Sequence, residues 1–102
     1  MKYKYDIIKY NKKISKDYTS VTPLEVARFE YGDYDCWVDA IIIKVYLEKS
    51  KHSNDINGVI VFEDITGKRN IAYTSTYNGT FKLDIIGYAK ERQTNKEDDC
   101  KQ

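Results

Sequence analysis

The chain has 102 residues, of which 41% are hydrophobic and 32% charged, and its formal net charge is +1. This length suits one domain around one core, and the apolar content argues against a fully disordered chain. The longest aliphatic run, Ala40–Ile43, is far shorter than the roughly 20 residues of a membrane-spanning helix. A membrane protein, a multidomain enzyme, a collagen and a disulfide-rich scaffold are therefore excluded.

Charge is distributed unevenly along the first half of the chain. Residues 1–20 hold six lysines against two acids, whereas residues 21–40 hold five acids against one arginine. The two segments either lie together and neutralise each other or form a charged binding surface. We predict a single compact domain over residues 1–91 and a polar, disordered tail over residues 92–102.

The cysteine pattern indicates a reducing compartment. Cys36 and Cys100 are far apart, and Cys100 lies in the polar tail. The N-terminus carries an acid at position 6 and lacks the apolar stretch of a secretory signal. We therefore predict free thiols and a cytoplasmic location. The abundance of Lys, Ile, Asn and Tyr, which have A/T-rich codons, suggests a low-GC bacterium, a phage or a mobile element as the source.

The first predicted element is a strand. Tyr3, Tyr5 and Ile7 alternate with Lys4, Asp6 and Ile8, and this period of two in aromatic and β-branched residues predicts a strand over residues 3–10. Residues 11–13 (Asn-Lys-Lys) are predicted to form a turn, and residues 14–21 are predicted to form either a second short strand or a loop.

The segment Thr22-Pro23-Leu24-Glu25 is typical of a helix start. Thr can cap exposed N–H groups, Pro at the first helical position sacrifices no hydrogen bond, and Glu three residues later can bond back to the Thr N–H. The pattern predicts a short helix over residues 23–31, ended by Gly32. The alternative is a strand through Val26-Ala27-Arg28-Phe29.

Four strands are predicted in the second half, over residues 36–48, 58–63, 69–76 and 80–89. Three consecutive isoleucines, Ile41–Ile43, disfavour helix because β-branched side chains lose rotamer freedom there. Asn78-Gly79 favours a two-residue hairpin turn, because both positions need positive φ. The residues predicted to be buried are Ile41, Ile43, Val45, Val61, Phe81, Leu83 and Ile85.

Together these elements predict an α+β fold that is mainly an antiparallel β meander of five to six strands with one short helix. The sheet is either strongly bent and open or curled into a small, partly open barrel.

No motif for catalysis or metal binding is present. The single histidine, His52, falls in a polar loop, and no histidine lies near Cys36 in the sequence. The acids that follow Asp33 do not have the spacing of a calcium-binding loop, and the cysteines and histidine do not have that of a zinc site. The sequence therefore predicts no enzyme, no catalytic residue, no metal ligand and no cofactor.

Ten tyrosines are the most distinctive feature of the composition. Tyr is common at binding surfaces because its ring is apolar and its hydroxyl tolerates water. Within the run from Glu25 to Asp39 lies an acidic and aromatic segment. It predicts a small non-catalytic binding protein that acts through protein–protein contact. Such a protein could be a phage- or mobile-element-encoded inhibitor or modulator of a host protein. Its candidate contact residues are Glu30, Tyr31, Asp33, Tyr34, Asp35 and Trp37.

The alternative is a small β-barrel-like protein that binds single-stranded nucleic acid, with aromatic rings stacked on bases and lysines on phosphates. Its candidate residues are Lys2, Lys4, Tyr5, Lys9, Tyr73 and Tyr77. The near-neutral net charge counts against this alternative. Strand edges that pair between copies would make a homo-oligomer, and no membrane partner is expected.

Overall fold

Six β-strands form one antiparallel sheet in the computed structural model, which describes residues 3–30 and 37–92. The strands are β1 (Tyr5–Asp17), β2 (Glu25–Glu30), β3 (Trp37–Lys49), β4 (Ile56–Glu63), β5 (Arg69–Ser75) and β6 (Lys82–Glu91). Their order across the sheet is β1-β6-β2-β3-β4-β5, so β1 and β5 are its edges. The predicted antiparallel architecture is confirmed in its open form.

The predicted helix over residues 23–31 is wrong, and the alternative strand is correct. Glu25 does reach back to Thr22 as a helix-capping pair would, with 2.8 Å between its Oε1 and the Thr22 N–H nitrogen. Leu24 then adopts a φ of 75°, which turns the chain out of a helical path. Val26 and Ala27 pair with β3 on one side and β6 on the other. Because these contacts bury both residues fully, tertiary burial outweighs the local helix signal.

The predicted turn at Asn78-Gly79 is confirmed, but the strands beside it do not pair with each other. Both residues have positive φ, and Tyr77 and Thr80 exchange two backbone hydrogen bonds. Strands β3, β4 and β5 form the predicted meander. The fourth predicted strand, β6, instead lies between β1 and β2. Phe81 lies at this crossing, where its ring stacks on Tyr18 at 4.9 Å between centroids.

Both faces of the sheet carry a hydrophobic cluster. We call the larger one the main core; its buried members are Ala27, Ala40, Ile42, Ile60, Phe62, Ala72, Phe81, Leu83 and Ile85. On the opposite side, which we call the second face, the buried members are Tyr5, Val26, Ile41, Ile86 and Ala89. Leu24 and Ile65 pack against this smaller cluster from loops, so it occupies the part of the second face that these loops cover.

A bulge in β3 changes which residues point toward each face. Ile42 pairs with Phe62 and Lys44 pairs with Val61, so Ile43 is an extra residue without a partner of its own. Before the bulge Ile42 packs in the main core, and after it Val45 does. Strict alternation therefore failed: Ile43 and Val45, both predicted to be buried, are only half-buried. The other five predicted core residues are buried.

β1 is also irregular. Its register with β6 shifts between Lys9, which pairs with Gly87, and Ile14, which pairs with Ile85. Residues 10–13 therefore bulge out of the ladder, and the turn predicted over residues 11–13 is wrong, because β1 continues to Asp17 and pairs with β6 again from Ile14. Beside the bulge, β1 runs so close to Gly87 that a Cβ atom there would collide with the Ile8 carbonyl oxygen and lie 2.9 Å from the Lys9 Cα.

Among residues 3–30 and 37–92, no helix is long and apolar enough to cross a membrane. The tail predicted to be disordered comprises residues 92–102, and from position 93 onward it lies outside the described part of the chain.

Candidate functional site

The acidic and aromatic segment predicted to bind a partner joins β2 to β3. Glu30 is the last residue of β2 and pairs through its backbone with Trp37, the first residue of β3. Tyr31, Asp33, Tyr34 and Asp35 lie outside the described residues, as does the side chain of Trp37. Glu30 is exposed and borders a concavity between β2, β5 and β6 that Phe29, Lys82 and Leu83 also line.

The two oppositely charged segments at the front of the chain come together in the fold. Lys16 lies 2.6 Å from Glu25, and Lys9 lies 3.6 Å from Asp39. Arg28 adds a second contact to Asp39 at 2.9 Å. Mutual neutralisation, one of the two sequence interpretations, is thus observed at both ends of the run from Glu25 to Asp39.

Glu25 is a buried carboxylate with a full set of partners. It accepts hydrogen bonds from the Thr22 backbone and hydroxyl and from Lys16. Burial raises the pKa of Glu25, but these hydrogen bonds outweigh it and hold that pKa below its ordinary value. The carboxylate therefore anchors the turn before β2 and does not offer itself to a partner.

A second buried carboxylate, Glu63, ties the N-terminus to the turn between β4 and β5. The Tyr5 hydroxyl donates to its Oε1 at 2.6 Å, Lys4 lies 3.2 Å from the same oxygen, and Arg69 contacts Oε2 at 2.9 Å. Burial raises the pKa of Glu63, but the bonds from Tyr5, Arg69 and Lys4 hold it below the usual range. The pKa of Tyr5 is raised by burial and by its bond to this carboxylate.

This arrangement changes the interpretation of the N-terminal nucleic-acid candidates. Tyr5 is only 5% exposed, and a ring enclosed in the second face cannot stack on a base. Lys4 and Lys9 are exposed but paired with acids. Lys2 lies outside the described residues. Of these candidates, Tyr5 and Lys4 attach the start of β1 to Glu63.

A groove of about 1280 Å³ lies on the second face between β1 and the turn after β4, and its walls carry both signs of charge. Lys13 pairs with Asp84 at 3.3 Å across it, beside the contacts of Lys9 and Arg28 with Asp39. Because its described cations each have a carboxylate partner, the groove offers no field of one sign to a charged ligand.

The remaining two nucleic-acid candidates are exposed but do not share a strand face. Tyr73 lies in β5 and is 63% exposed. Tyr77 is 80% exposed and lies past the end of β5, in the turn that contains Asn78 and Gly79. Lys68 and Arg69 are at the other end of β5, and Arg69 is paired with Glu63.

An exposed apolar strip, of which the sequence analysis singled out only Tyr73, crosses the second face beyond the loops that carry Leu24 and Ile65. Val59 pairs with Tyr46 on one side and Tyr73 on the other, and in the next row Val61 pairs with Ile71. The valines are buried, whereas Tyr46, Ile71 and Tyr73 are exposed. We call these three residues the outer strip. Ala72 packs in the main core, so its neighbours Ile71 and Tyr73 point to the opposite face of the sheet.

The described residues contain no group of three or more His, Cys, Asp or Glu side chains that could hold a metal ion. His52 is exposed in the loop between β3 and β4. Its backbone N–H donates to the Ser50 hydroxyl at 3.3 Å, as in an ordinary loop turn.

No protein-family model, no curated protein and no solved structure matches this chain.

Proposed function

We propose that this chain is a small, non-catalytic binding protein that acts through contact with another protein. The outer strip carries the proposal. Tyr46, Ile71 and Tyr73 stand exposed on a rigid base of paired strands, with the buried Val59 and Val61 between them. A Tyr side chain has only two rotatable bonds, so an exposed Tyr on a paired strand loses little conformational entropy when it binds. Such residues are suitable anchors for a partner.

The proposed partner is a host protein, and the proposed role is inhibition or modulation of it in the cytoplasm, as phage and mobile-element products do. The acidic and aromatic segment remains a second proposed contact region. It joins β2 to β3, and Glu30 at its start borders the same concavity as Ile71 and Tyr73. One partner can therefore contact both the segment's start and the β5 side of the sheet.

The test is affinity capture from the native host with nuclease-treated and untreated samples, read by mass spectrometry. We expect one protein to be retained by the wild type after nuclease and lost with Tyr73→Asp. The matched control is Tyr88→Asp, since Tyr88 is a similarly strand-borne exposed tyrosine near the opposite edge. A protein retained equally by both variants contradicts the role of the outer strip.

A separate variant tests the acidic segment. Reversal of Asp33 and Asp35 to Lys is expected to leave the melting curve nearly unchanged and to weaken capture and its salt dependence. If this double variant captures the same protein at every salt concentration, the segment has no part in binding.

Nucleic-acid binding is the second candidate function, favoured by one contact in the outer strip. The Lys44 ammonium lies 5.3 Å from the centroid of the Tyr46 ring, so a cation accompanies an exposed aromatic face. This pairing resembles the stacking and phosphate contacts of single-strand binders. Anisotropy titration of a fluorescent single-stranded oligonucleotide decides it: binding that Tyr46→Ala and Lys44→Ala both weaken supports this function, and no binding at low salt rules it out.

A further inference from the structure

β5 is an edge strand with one side free for pairing. β5 pairs with β4 on one side, and none of the described residues pairs with its other side. Its seven pairs with β4 run without a bulge from Glu63–Arg69 to Asn57–Ser75. A regular edge of this kind exposes a row of backbone donors and acceptors.

The turn after β4 shows which backbone groups point to the free side. The Asp64 N–H donates to the Lys68 carbonyl at 3.0 Å, which makes these two residues a hydrogen-bonded pair. Hydrogen-bonded and non-hydrogen-bonded pairs alternate along an antiparallel ladder. Asn70, Ala72 and Thr74 therefore bond to β4. The residues whose N–H and C=O groups point away from β4 are Arg69, Ile71, Tyr73 and Ser75.

The opposite edge strand, β1, is irregular and rich in lysine, unlike β5. β1 bulges over residues 10–13, and it carries Lys9, Lys12, Lys13 and Lys16. Bulges and lysines are the features that keep strand edges from pairing with other chains. β5 has no bulge and no lysine, and its one cation, Arg69, is held by Glu63 inside the same sheet.

The side chains of β5 follow the same chemical order in both directions from Ala72. Ile71 and Tyr73 are the large apolar neighbours, Asn70 and Thr74 are uncharged polar residues, and polar residues stand at both ends. An antiparallel second copy centred on Ala72 would place Ile71 opposite Tyr73 of that copy. Such aromatic and β-branched pairs are favourable, and no like charges meet in this register.

The backbone agrees with the same register. Ile71 and Tyr73 both point their N–H and C=O groups to the free side, so each would exchange two hydrogen bonds with its opposite residue. Arg69 and Ser75 would do the same at the ends. A two-fold axis at Ala72 therefore satisfies all the outward-pointing backbone groups of the strand at once, with Ala72 opposite Ala72 as a non-hydrogen-bonded pair.

We propose that a second copy of this chain pairs antiparallel along β5 about a two-fold axis at Ala72, so that two six-stranded sheets join edge to edge. The two outer strips then form one continuous surface. This assembly goes beyond the proposed function and does not depend on it, because it uses the backbone edge of β5 and needs no other protein.

The first experiment uses the purified full chain alone. Sedimentation velocity over a range of concentrations is expected to show a rise from the 12.0 kDa monomer toward twice that mass. Amide hydrogen exchange followed by NMR should show that the Ile71 and Tyr73 amides become protected as concentration rises. The Ala72 amide, which bonds to β4, should be protected throughout. A chain that stays monomeric at every concentration overturns the proposal.

Two variants separate this edge from any other contact. Tyr73→Pro removes an outward-pointing donor but no hydrogen bond to β4, and Ile71→Lys places a charge at the centre of the interface. Each is expected to raise the dimer dissociation constant at least about ten-fold while the thermal melt stays cooperative. If Tyr73→Pro fails to fold, Ile71→Lys provides the same test.

The matched control is Ile8→Lys, which adds the same charge at an exposed isoleucine on the β1 edge. It should leave the dimer intact. A dimer that survives Ile71→Lys but dissociates in Ile8→Lys would show that the copies meet through β1 and would overturn the β5 interface.

Discussion

The two faces of this single sheet are closed by different means. The main core is formed where the bent sheet folds over itself, and hydrophobic residues from β2, β3, β4, β5 and β6 meet there. The second face is covered only in part, by Leu24 and Ile65 from loops, and it contains the buried carboxylate Glu63. The part of the second face beyond these loops carries the exposed outer strip. One face therefore provides most of the hydrophobic stability, and the other provides attachment points and an open surface.

Bulges allow one strand to serve both faces. In β3, Ile41 packs on the second face and Ile42 in the main core, and after the extra residue Ile43 the alternation is reversed. In β6 the register shifts between Gly87 and Ile85, so Ile85 packs in the main core while Ile86 and Ala89 pack on the second face. A one-residue change of register exchanges faces because side chains alternate with a period of two.

The largest expected effect is in the main core. Ile42 is 1% exposed, so Ile42→Ala should lower the free energy of unfolding by about 4 kcal/mol. Ile43→Ala, one residue away on the bulge, should cost about 1 kcal/mol, since Ile43 is half-buried. Urea unfolding of both variants measures the difference. Equal losses would mean that the bulge does not separate the two positions.

The pairing of β1 with β6 should depend on Gly87. A methyl group there meets β1 backbone and has no flexible side chain to displace, so Gly87→Ala should cost about 3 kcal/mol. Gly79→Ala is the control, because Gly79 has open space and only its positive φ opposes a side chain. That control should cost about 1 kcal/mol in the same unfolding assay. A Gly87→Ala protein as stable as the wild type would contradict the close approach of β1.

The buried carboxylate of the second face should make stability depend on pH. The folded-state pKa of Glu63 lies below its ordinary value of 4.5. The stabilisation that the Glu63 carboxylate gives the fold is therefore complete above pH 4.5. It is lost as the pH falls through the folded-state pKa. Glu63→Gln should cost about 1–2 kcal/mol near neutral pH and reduce the acid-induced loss. Melting temperatures from about pH 7 to about pH 3 test this, with the exposed Glu48→Gln as control. An unchanged acid response in Glu63→Gln would contradict it.

The smallest effect is expected on the open part of the second face. Tyr73→Ala removes an exposed ring at the edge strand and should change the free energy of unfolding by no more than about 0.5 kcal/mol. Chemical denaturation of a dilute sample measures this. A loss above about 2 kcal/mol would indicate that the ring supports the fold, so the outer strip would have a structural explanation.

The candidate site was less predictable than the fold. Exposed aromatic residues in strands are recognisable only once it is known which face is covered. Tyr5 and Tyr73 both lie in segments with the residue types of a strand, yet Tyr5 is buried against Glu63 and Tyr73 faces outward. The difference comes from the β4–β5 turn, which covers Tyr5 through a contact between residues far apart in the chain. Nothing local to either tyrosine carries that information.

The sequence by itself determined the four strands of the second half and the tight turn. Alternation and β-branched residues are local properties, and Asn78-Gly79 needs no tertiary contact to favour positive φ. Tertiary structure decided that residues 25–30 form a strand, that β6 enters between β1 and β2, and that the β3 side chains exchange faces at Ile43. These outcomes depend on burial between strands distant in sequence. That burial gains more free energy than a local capping pair or a strict alternation can oppose.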